Sequence, residues 1–498
     1  MKPDINKLRK KYLIISLFSF SNIFTQNINI GSNSDLLSSN RLINNFIYKS
    51  KTESNNNFKY NFSYNYDFAI NTGHPNIDNN AEFYAPGTRS QLVSFRYELG
   101  YKWFQIEFEP YQITYNDKFI SQEISDTWQY TNNNNPINNS NQILTGLKQS
   151  RLIIHYKSLG FAYGNMSHWW GPGLHSSIIL SSNSPSQKTY SIGTFNDIKI
   201  NKISFGVKII AIPYNNLEQV QLYFTGLKTK LTYHSNPELT IGFHRTFLSA
   251  DFKSSFPYPN NLKKSWSIYD ATKLVIEPLF GQSKSGLDYT VPGTPGFDAW
   301  DQVISGYVQI FFPKDDLLFY LELASDDNRG NFTDLRAHWD HTLGYNIGFR
   351  KFINLPSSRI FLSTEYLNTV ITNTNNPNFF RGNPSAANYY IYKSFDYFTY
   401  EGRRMGAHSG SSSDDLIFII GFQKLNKIYL LSYNRERHGI KYMDFPEIKD
   451  ELSVIYNYKI SSRHSLKFTF EYENIYNYSY KTNYSISRLL WFGYSFSI

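Results

Sequence analysis

The chain of 498 residues contains no cysteine. A disulfide framework, a thiolate nucleophile and a zinc–thiolate centre are therefore excluded. After the N-terminal region, the sequence has no window of about 18 apolar residues. No transmembrane helix is therefore predicted there. Charge is sparse, since only 18% of the residues are charged. No Lys- or Arg-rich run with interleaved aromatic residues follows the N-terminus, so we expect no nucleic-acid partner.

The N-terminus has the organisation of a secretory signal peptide, which we place at residues 1–25. Five basic residues precede an apolar stretch from Tyr12 to Phe24, which is shorter than the ~20 residues that a spanning helix needs. A buried N-terminal helix or a short anchor is the alternative. Residues 26–57 are then expected to form a small N-terminal segment at the periplasmic mouth, and residues 58–498 the main domain. Removal of the peptide lowers the formal net charge from +9 to about +5.

Aromatic side chains are abundant, and they alternate with polar ones. Tyr and Phe number 40 each and Trp 8. In Phe58–Ile70, FKYNFSYNYDFAI, every even position is aromatic or Ile, and every odd position except Ala69 is polar. Similar alternation occurs in FQIEFE (104–109), LKFTFEYE (466–473) and the final LLWFGYSFSI (489–498). The pattern predicts strands with two different faces. We expect the even side of the first strand to face lipid and the odd side a polar lumen.

Strands of this kind cross a bilayer only as a closed barrel, in which every backbone polar group has a partner. If a hairpin takes about 50 residues, the mature chain has room for roughly 16–20 strands. A strand that ends at the last residue is expected to close the ring with the first strand. We therefore predict an all-β, transmembrane antiparallel β-barrel in the bacterial outer membrane, in contact with membrane lipid and lipopolysaccharide. A soluble β-sandwich or β-helix is the alternative.

Polar stretches rich in Asn, Gly, Ser and Pro separate the alternating segments. Such composition is typical of loops, and outer-membrane barrels carry long loops at their extracellular rim. These stretches are residues 71–80, 130–142, 284–300, 372–378 and 402–415.

The most distinctive stretch is GNMSHWWGPGLHSSIILSSNSP, residues 164–185. Trp169 and Trp170 run into a Gly-Pro-Gly turn, which is followed by the strand-like SSIILSS. Adjacent residues of a strand point to opposite faces, so one ring is expected at the lipid interface and the other in the lumen. A ring in the lumen could stack on the apolar face of a sugar. The alternative is a rim girdle of aromatic residues next to a turn.

This stretch resembles the signature of the Wzi family of outer-membrane capsule-assembly proteins, and three later segments resemble the family in the same order. They are residues 222–248, 317–327 and 399–416. The resemblance implies a barrel of about 18 strands that acts as a surface lectin for capsular polysaccharide, without enzymatic activity or a cofactor. The family's helical plug at the periplasmic mouth is expected to be reduced or missing, because only Asp35–Tyr48 has a mildly helical pattern.

The last of these segments carries charges that suit a sugar polymer. Arg403 and Arg404 could bind uronate or phosphate groups bidentately, and His408, Asp414 and Asp415 could bond to sugar hydroxyls. A solvated or internally paired loop is the alternative. The predicted polysaccharide-binding residues are Trp169, Trp170, Arg403, Arg404, His408 and Asp414.

Patterns for catalysis and for metal binding are weak. His175 and Ser177 have the spacing of a dyad on one strand face, but no orienting group is evident beside them. Glu107 and Glu109 are expected to form ion pairs in the lumen and not a glycosidase pair. The 11 histidines are scattered and form no HxxxH motif, so no metal site is predicted.

The predicted function is that of a lectin-like outer-membrane barrel that binds capsular or exopolysaccharide and helps to assemble or retain it. A porin-like channel for sugars or other small nutrients is the alternative, and an enzyme acting on lipid or glycan is a third class. The sequence leaves the oligomeric state open.

Overall fold

The computed structural model describes most of the chain from Phe58 onwards. The described ranges are 58–74, 78–80, 82–83, 89–115, 143–215, 221–250, 300–326, 343–370, 389–390 and 398–498. The predicted signal peptide, the periplasmic segment and the loop stretches at 130–142 and 372–378 lie outside these residues, as does 284–299. In the described part of the chain, no helix is long and apolar enough to cross a membrane.

The described residues form 23 β-strands and one short 3-10 turn at Tyr478–Tyr480. The strands are β1 Phe58–Asn71, β2 Arg89–Tyr101, β3 Phe104–Phe108, β4 Pro110–Tyr115, β5 Ile143–Leu147, β6 Ser150–Tyr156, β7 Leu159–Met166, β8 Gln187–Thr194, β9 Ile198–Ile200, β10 Ile203–Asn215, β11 Gln221–Tyr233, β12 Glu238–Ala250, β13 Trp300–Phe312, β14 Leu317–Asp326, β15 Leu343–Leu355, β16 Ser358–Asn368, β17 Thr399–Tyr400, β18 Arg403–Arg404, β19 Asp414–Lys424, β20 Lys427–His438, β21 Glu447–Lys459, β22 His464–Tyr476 and β23 Tyr484–Ser497.

Apart from the β17–β18 hairpin, all strands belong to one antiparallel sheet that closes on itself. Strand β1 pairs with β2 on one side, and on the other side Ser63–Asn71 pairs with Leu489–Ser497 of β23. Strands β3 and β4 are two halves of one interrupted strand, because both pair with β2. The same holds for β5 and β6, which pair with β4 and β3, and for β8 and β9, which both pair with β10. The wall is therefore a closed barrel of 18 strands. This confirms the predicted fold, including ring closure by the terminal strand.

Side chains alternate between the two faces of the wall. In β20, KIYLLSYNRERH, exposed and buried residues alternate without interruption. In β1 the even-numbered residues are exposed or half-exposed, whereas Asp67 and Ala69 are buried. Asp67 accepts a hydrogen bond from Trp491 Nε1 at 2.8 Å and lies 3.8 Å from Lys467 Nζ. The outer face carries exposed Phe95, Tyr97, Ile192, Phe243, Phe319, Ile347, Phe418, Leu431, Leu452 and Phe470. The predicted assignment of an apolar outer side and a polar lumenal side is confirmed.

The connections between strands differ in length at the two ends of the barrel. Two-residue turns join β2 to β3 at one end, and β6 to β7 and β19 to β20 at the same end. At the opposite end the strands are separated by longer stretches of sequence, namely 72–88, 116–142, 167–186, 251–299, 327–342 and 369–413. Because outer-membrane barrels have short periplasmic turns and long extracellular loops, we assign this end of the wall to the cell exterior.

The described parts of two of these connections fold back into the barrel. We call residues 167–186 the first inserted segment and residues 398–413 the second inserted segment. Ile178, Ile179 and Leu180 of the first are completely buried and pack with Met405 and Ala407 of the second. Fully burying one such aliphatic side chain contributes about 1.5–3 kcal/mol. The largest described apolar cluster of this protein is therefore inside the barrel, where these segments meet wall residues such as those of β10 and β11.

Candidate functional site

The first inserted segment leaves the wall after Met166 and turns sharply at Gly171, Pro172 and Gly173. A Cβ atom on Gly171 would lie 2.8 Å from Glu322 Oε2 of β14, and one on Gly173 would lie 2.5 Å from Asn346 Nδ2 of β15. Gly171 also has a φ angle of 135°, which side chains disfavour. The two glycines thus let the backbone approach the opposite wall closely.

Glu365 of β16 holds this turn in place. The backbone N–H groups of Leu174, His175 and Ser176 donate to its carboxylate at 2.5, 3.2 and 2.6 Å. The Tyr320 hydroxyl donates to the same carboxylate. Glu365 is only 2% exposed, and a buried carboxylate needs several donors to replace water. One wall residue therefore fixes three consecutive backbone groups of the inserted segment.

Trp170 is the buried member of the tryptophan pair. Its backbone N–H donates to the Leu180 carbonyl at 2.9 Å, and its ring centroid lies 5.5 Å from that of His244. Gly226 of β11 makes room for the ring, because a Cβ there would lie 2.7 Å from Trp170 Cη2. Trp170 thus connects the turn to Leu180 and to the wall.

Trp169 is half-exposed and also lies in the lumen. Its Nε1 donates to the Gly173 carbonyl at 2.9 Å, and its own carbonyl lies 3.4 Å from Lys228 Nζ. We expected one ring of the pair at the lipid interface, but the structure differs. The reason is that the chain departs from the wall before the tryptophans, so the alternation of faces no longer selects between lipid and lumen.

The second inserted segment is hydrogen-bonded to the first. The Ser181 N–H donates to the Met405 carbonyl at 2.7 Å. The Asn183 amide donates to the Arg404 carbonyl at 3.0 Å and accepts from Arg403 Nη2 at 3.2 Å. These bonds combine backbone and side-chain groups, so the two segments form one unit inside the barrel. We call residues 167–186 and 398–413 together the inserted unit.

Arg403 and Arg404 are among the most deeply buried large side chains, at 1% and 2% exposure. They form strand β18, which pairs with Thr399 and Tyr400 of β17. The Arg404 guanidinium also lies 5.3 Å from the ring centroid of Tyr390, a cation–π geometry. In this arrangement neither arginine reaches solvent.

His408 and Asp414 are buried as well. His408 Nε2 lies 3.2 Å from Asp415 Oδ2 and 3.3 Å from Glu436 Oε1. Burial alone would lower the pKa of His408, but the two carboxylates outweigh it and hold this pKa well above its ordinary value. Asp414 accepts a hydrogen bond from Arg437 Nε at 2.9 Å. Both residues therefore have partners within the protein.

Of the six predicted binding residues, five are buried in the inserted unit or at its junction with the wall, and Trp169 alone is half-exposed. Direct contact between a surface polymer and the buried five would need the inserted segments to move. Their binding role stays a prediction. Sequence reasoning missed Glu365, although an inward-facing carboxylate flanked by outward Thr364 and Tyr366 was a visible signal.

A basic patch lines the lumen next to Trp169. We define it as Arg151, Lys208 and Lys228. Burial and the positive charges of these three residues lower the pKa of the adjacent His168 to about 3, so His168 is neutral. Lys208 and Lys228 lie directly opposite each other on β10 and β11, and both are half-exposed. Opposed like charges are unfavourable in a sheet. Such a pair in a lumen is chemically suited to bind an anion.

The residues considered for catalysis contact other groups in the structure. Ser177 Oγ donates to the Trp170 carbonyl, whereas His175 Nε2 lies 3.3 Å from Asp415 Oδ2. His175 and Ser177 therefore do not face each other as a dyad. Glu107 pairs with Arg151 at 2.9 Å, and Glu109 lies 3.6 Å from Lys148 Nζ. The expectation that both glutamates form lumenal ion pairs is confirmed.

No protein-family model and no curated protein matches this chain. Among solved structures it is similar to Escherichia coli Wzi, described as an outer-membrane protein involved in group 1 capsule assembly and a carbohydrate-binding β-barrel. The identity is 11%, the alignment covers 86% of this chain and 83% of Wzi, and the TM-score is 0.55. Acinetobacter baumannii OccAB3 is 8% identical over 89% of this chain and 99% of its own, with a TM-score of 0.46. Pseudomonas aeruginosa OpdK with vanillate is 6% identical over the same shares, with a TM-score of 0.46.

At such low identity, the likeness to Wzi is a likeness of fold. Together with the closed wall and its apolar outer face, this fold defines an outer-membrane β-barrel, so the predicted location is confirmed.

Proposed function

We propose that this protein is a Wzi-type outer-membrane barrel that binds capsular or exopolysaccharide and helps to assemble or retain it. The observation that carries the proposal is the inserted unit, in which 167–186 and 398–413 are bonded to each other and to the wall inside the lumen. A barrel filled in this way supports a binding surface better than it supports free diffusion. The sequence resemblance to the Wzi family and the description of Wzi as carbohydrate-binding support the same reading.

The chemistry next to the inserted unit suits an acidic polymer. Trp169 offers a ring face for sugar stacking, and Lys208 and Lys228 offer charge-assisted hydrogen bonds to uronate or phosphate groups. Each contact is weak, but a polymer presents the same group many times, so the contacts add up to useful retention. In this proposal the five buried residues of the predicted set, such as Trp170 and Arg403, position the segment that carries Trp169.

The second candidate is a channel for small anionic nutrients. The observation that favours it is the opposed pair Lys208 and Lys228, because lumenal lysines attract anions in pores. Both functions use the same patch, and they differ in whether ions pass the inserted unit. The proposals therefore predict different electrical behaviour.

The experiment combines planar-bilayer conductance with affinity electrophoresis in gels that contain the producing strain's acidic polysaccharide or neutral dextran. For the binding function we expect little open conductance and retardation by the acidic polymer alone. Large, stable conductance without retardation would establish the channel and overturn the binding proposal.

The variant Lys208→Ala with Lys228→Ala is expected to weaken retardation about tenfold, equivalent to about 1.4 kcal/mol. The matched control is Lys424→Ala with Lys427→Ala, since these lysines are also directly opposed but lie exposed at a short turn. An equal loss in both double variants would mean that net charge, and not the patch, determines binding.

A further inference from the structure

Four side chains with metal-ligating atoms converge where the inserted unit meets the wall. His175 comes from the first inserted segment and His408 from the second, while Asp415 and Glu436 belong to β19 and β20. One ligand atom from each of the four lies within 4.8 Å of the others. His175 is distant in sequence from the other three residues, and the fold brings it to them.

Three of the six distances between these atoms match those around a small tetrahedral ion, and all six lie within 4.8 Å. His175 Nε2 lies 3.3 Å from Asp415 Oδ2, and His408 Nε2 lies 3.2 Å from the same oxygen and 3.3 Å from Glu436 Oε1. Ligand atoms bound to zinc at about 2.0–2.1 Å in a tetrahedron are roughly 3.3 Å apart. Three of the contacts therefore already have the separation that such an ion requires.

Two of the buried atoms lack ordinary hydrogen bonds. His408 Nε2 approaches both carboxylates but forms no hydrogen bond of good geometry with them, and Asp415 Oδ1 has no hydrogen-bond partner, although His408 is 0% and Asp415 2% exposed. Glu436, at 1% exposure, is equally withdrawn from solvent. Buried polar atoms are nearly always satisfied. A cation between the four side chains would give His408 Nε2 a partner and neutralise two buried carboxylates.

Neighbouring groups are placed to orient the ligands. Ser176 Oγ donates to Asp415 Oδ2 at 2.7 Å and lies 3.4 Å from His408 Nδ1, the ring nitrogen that faces away from the carboxylates. Asn434 Nδ2 donates to Glu436 Oε1 at 2.8 Å. Hydrogen bonds of this kind fix the orientation of ligands in protein metal sites.

The donor set selects the class of ion. Two imidazole nitrogens and two carboxylate oxygens suit Zn²⁺ and related first-row divalent ions, whereas Ca²⁺ and Mg²⁺ prefer oxygen ligands alone. We propose that His175, His408, Asp415 and Glu436 bind one divalent transition-metal ion, which joins both inserted segments to the barrel wall. With four protein ligands the coordination sphere is closed, so the role is structural.

The first test measures the metal content of the full-length protein, purified from outer membranes in detergent and equilibrated with buffered Zn²⁺. We expect about one zinc ion per chain, and loss of that ion in His175→Gln and in His408→Gln. The matched control is His155→Gln, which removes another buried histidine, one that lies in β6 and contacts the Lys157 carbonyl of the following turn. Heat-modifiable migration in gels verifies that each variant contains a folded barrel.

The second test uses the unaltered protein and does not depend on the folding of variants. Replacement of zinc by Co²⁺ should produce the visible absorption of a four-coordinate site, and zinc X-ray absorption should show two imidazole ligands. Absence of stoichiometric metal at saturating Zn²⁺, or full zinc content in His408→Gln, would overturn the proposal. The cluster would then be an ion-pair network around a protonated His408.

Discussion

The wall and the inserted unit differ in how their backbone polar groups find hydrogen-bond partners and in how their apolar side chains are buried. In the wall, strands pair by a regular register, and outward side chains such as Phe418 have only to be apolar. The inserted unit has almost no regular secondary structure, yet Ile178, Ile179 and Leu180 are completely buried. Its backbone groups are satisfied one by one, by side chains such as Glu365. The wall therefore tolerates exchange of similar residues, whereas the inserted unit depends on individual ones.

The largest effect is expected from Glu365→Ala. This change leaves the N–H groups of residues 174–176 without their acceptor, at about 1–3 kcal/mol each, so we expect a loss of at least about 3 kcal/mol. The inserted unit should be released while the barrel persists. Protease cleavage within 167–186, together with the conductance of the barrel in bilayers, measures this release.

The control for that prediction is Thr364→Ala, which changes the neighbouring residue on the other face of β16. If Glu365→Ala were as resistant to protease as this control, the carboxylate would not be the anchor of the turn.

An intermediate effect is expected from a charge on the outer face. Phe418 is 48% exposed near the middle of β19, and arginine at the bilayer midplane costs about 2–4 kcal/mol. Phe418→Arg should therefore lower the free energy of unfolding in lipid vesicles by that amount, and Phe418→Leu should change it little. Equal stability of Phe418→Arg and Phe418→Leu would contradict the lipid-facing assignment of this strand.

A smaller effect is expected from Gly226→Ala, because the new Cβ would clash with the Trp170 ring. Overpacking of this kind costs about 1–3 kcal/mol. The expected signature is a change in tryptophan fluorescence and in protease sensitivity of the inserted unit. Gly306→Ala is the matched control, since the only atom near its Cβ would be 3.8 Å away. An unchanged fluorescence spectrum in Gly226→Ala would contradict the position of the Trp170 ring against Gly226.

Sequence reasoning predicted the wall well and the candidate site only in part. Alternation in Phe58–Ile70 predicted β1, which spans Phe58–Asn71, because side-chain direction in a strand is a local property. The stretch SSIILSS was interpreted as strand-like, but it lies in the inserted unit. Its three consecutive apolar residues break the alternation of a two-faced strand, and this was the available signal of complete burial.

Alternation alone was enough to predict the lipid-facing side of strands such as β1, because a period of two is set by the backbone of each strand and the bilayer selects apolar side chains on one face. It also predicted a closed barrel, because strands cross a bilayer only when every backbone polar group has a partner. Long-range contacts were needed to place Trp170, Arg403 and His408 in the lumen and to bring His175 next to Asp415. Those contacts join residues far apart in sequence, and no local pattern specifies which distant loops will fold into the same cavity.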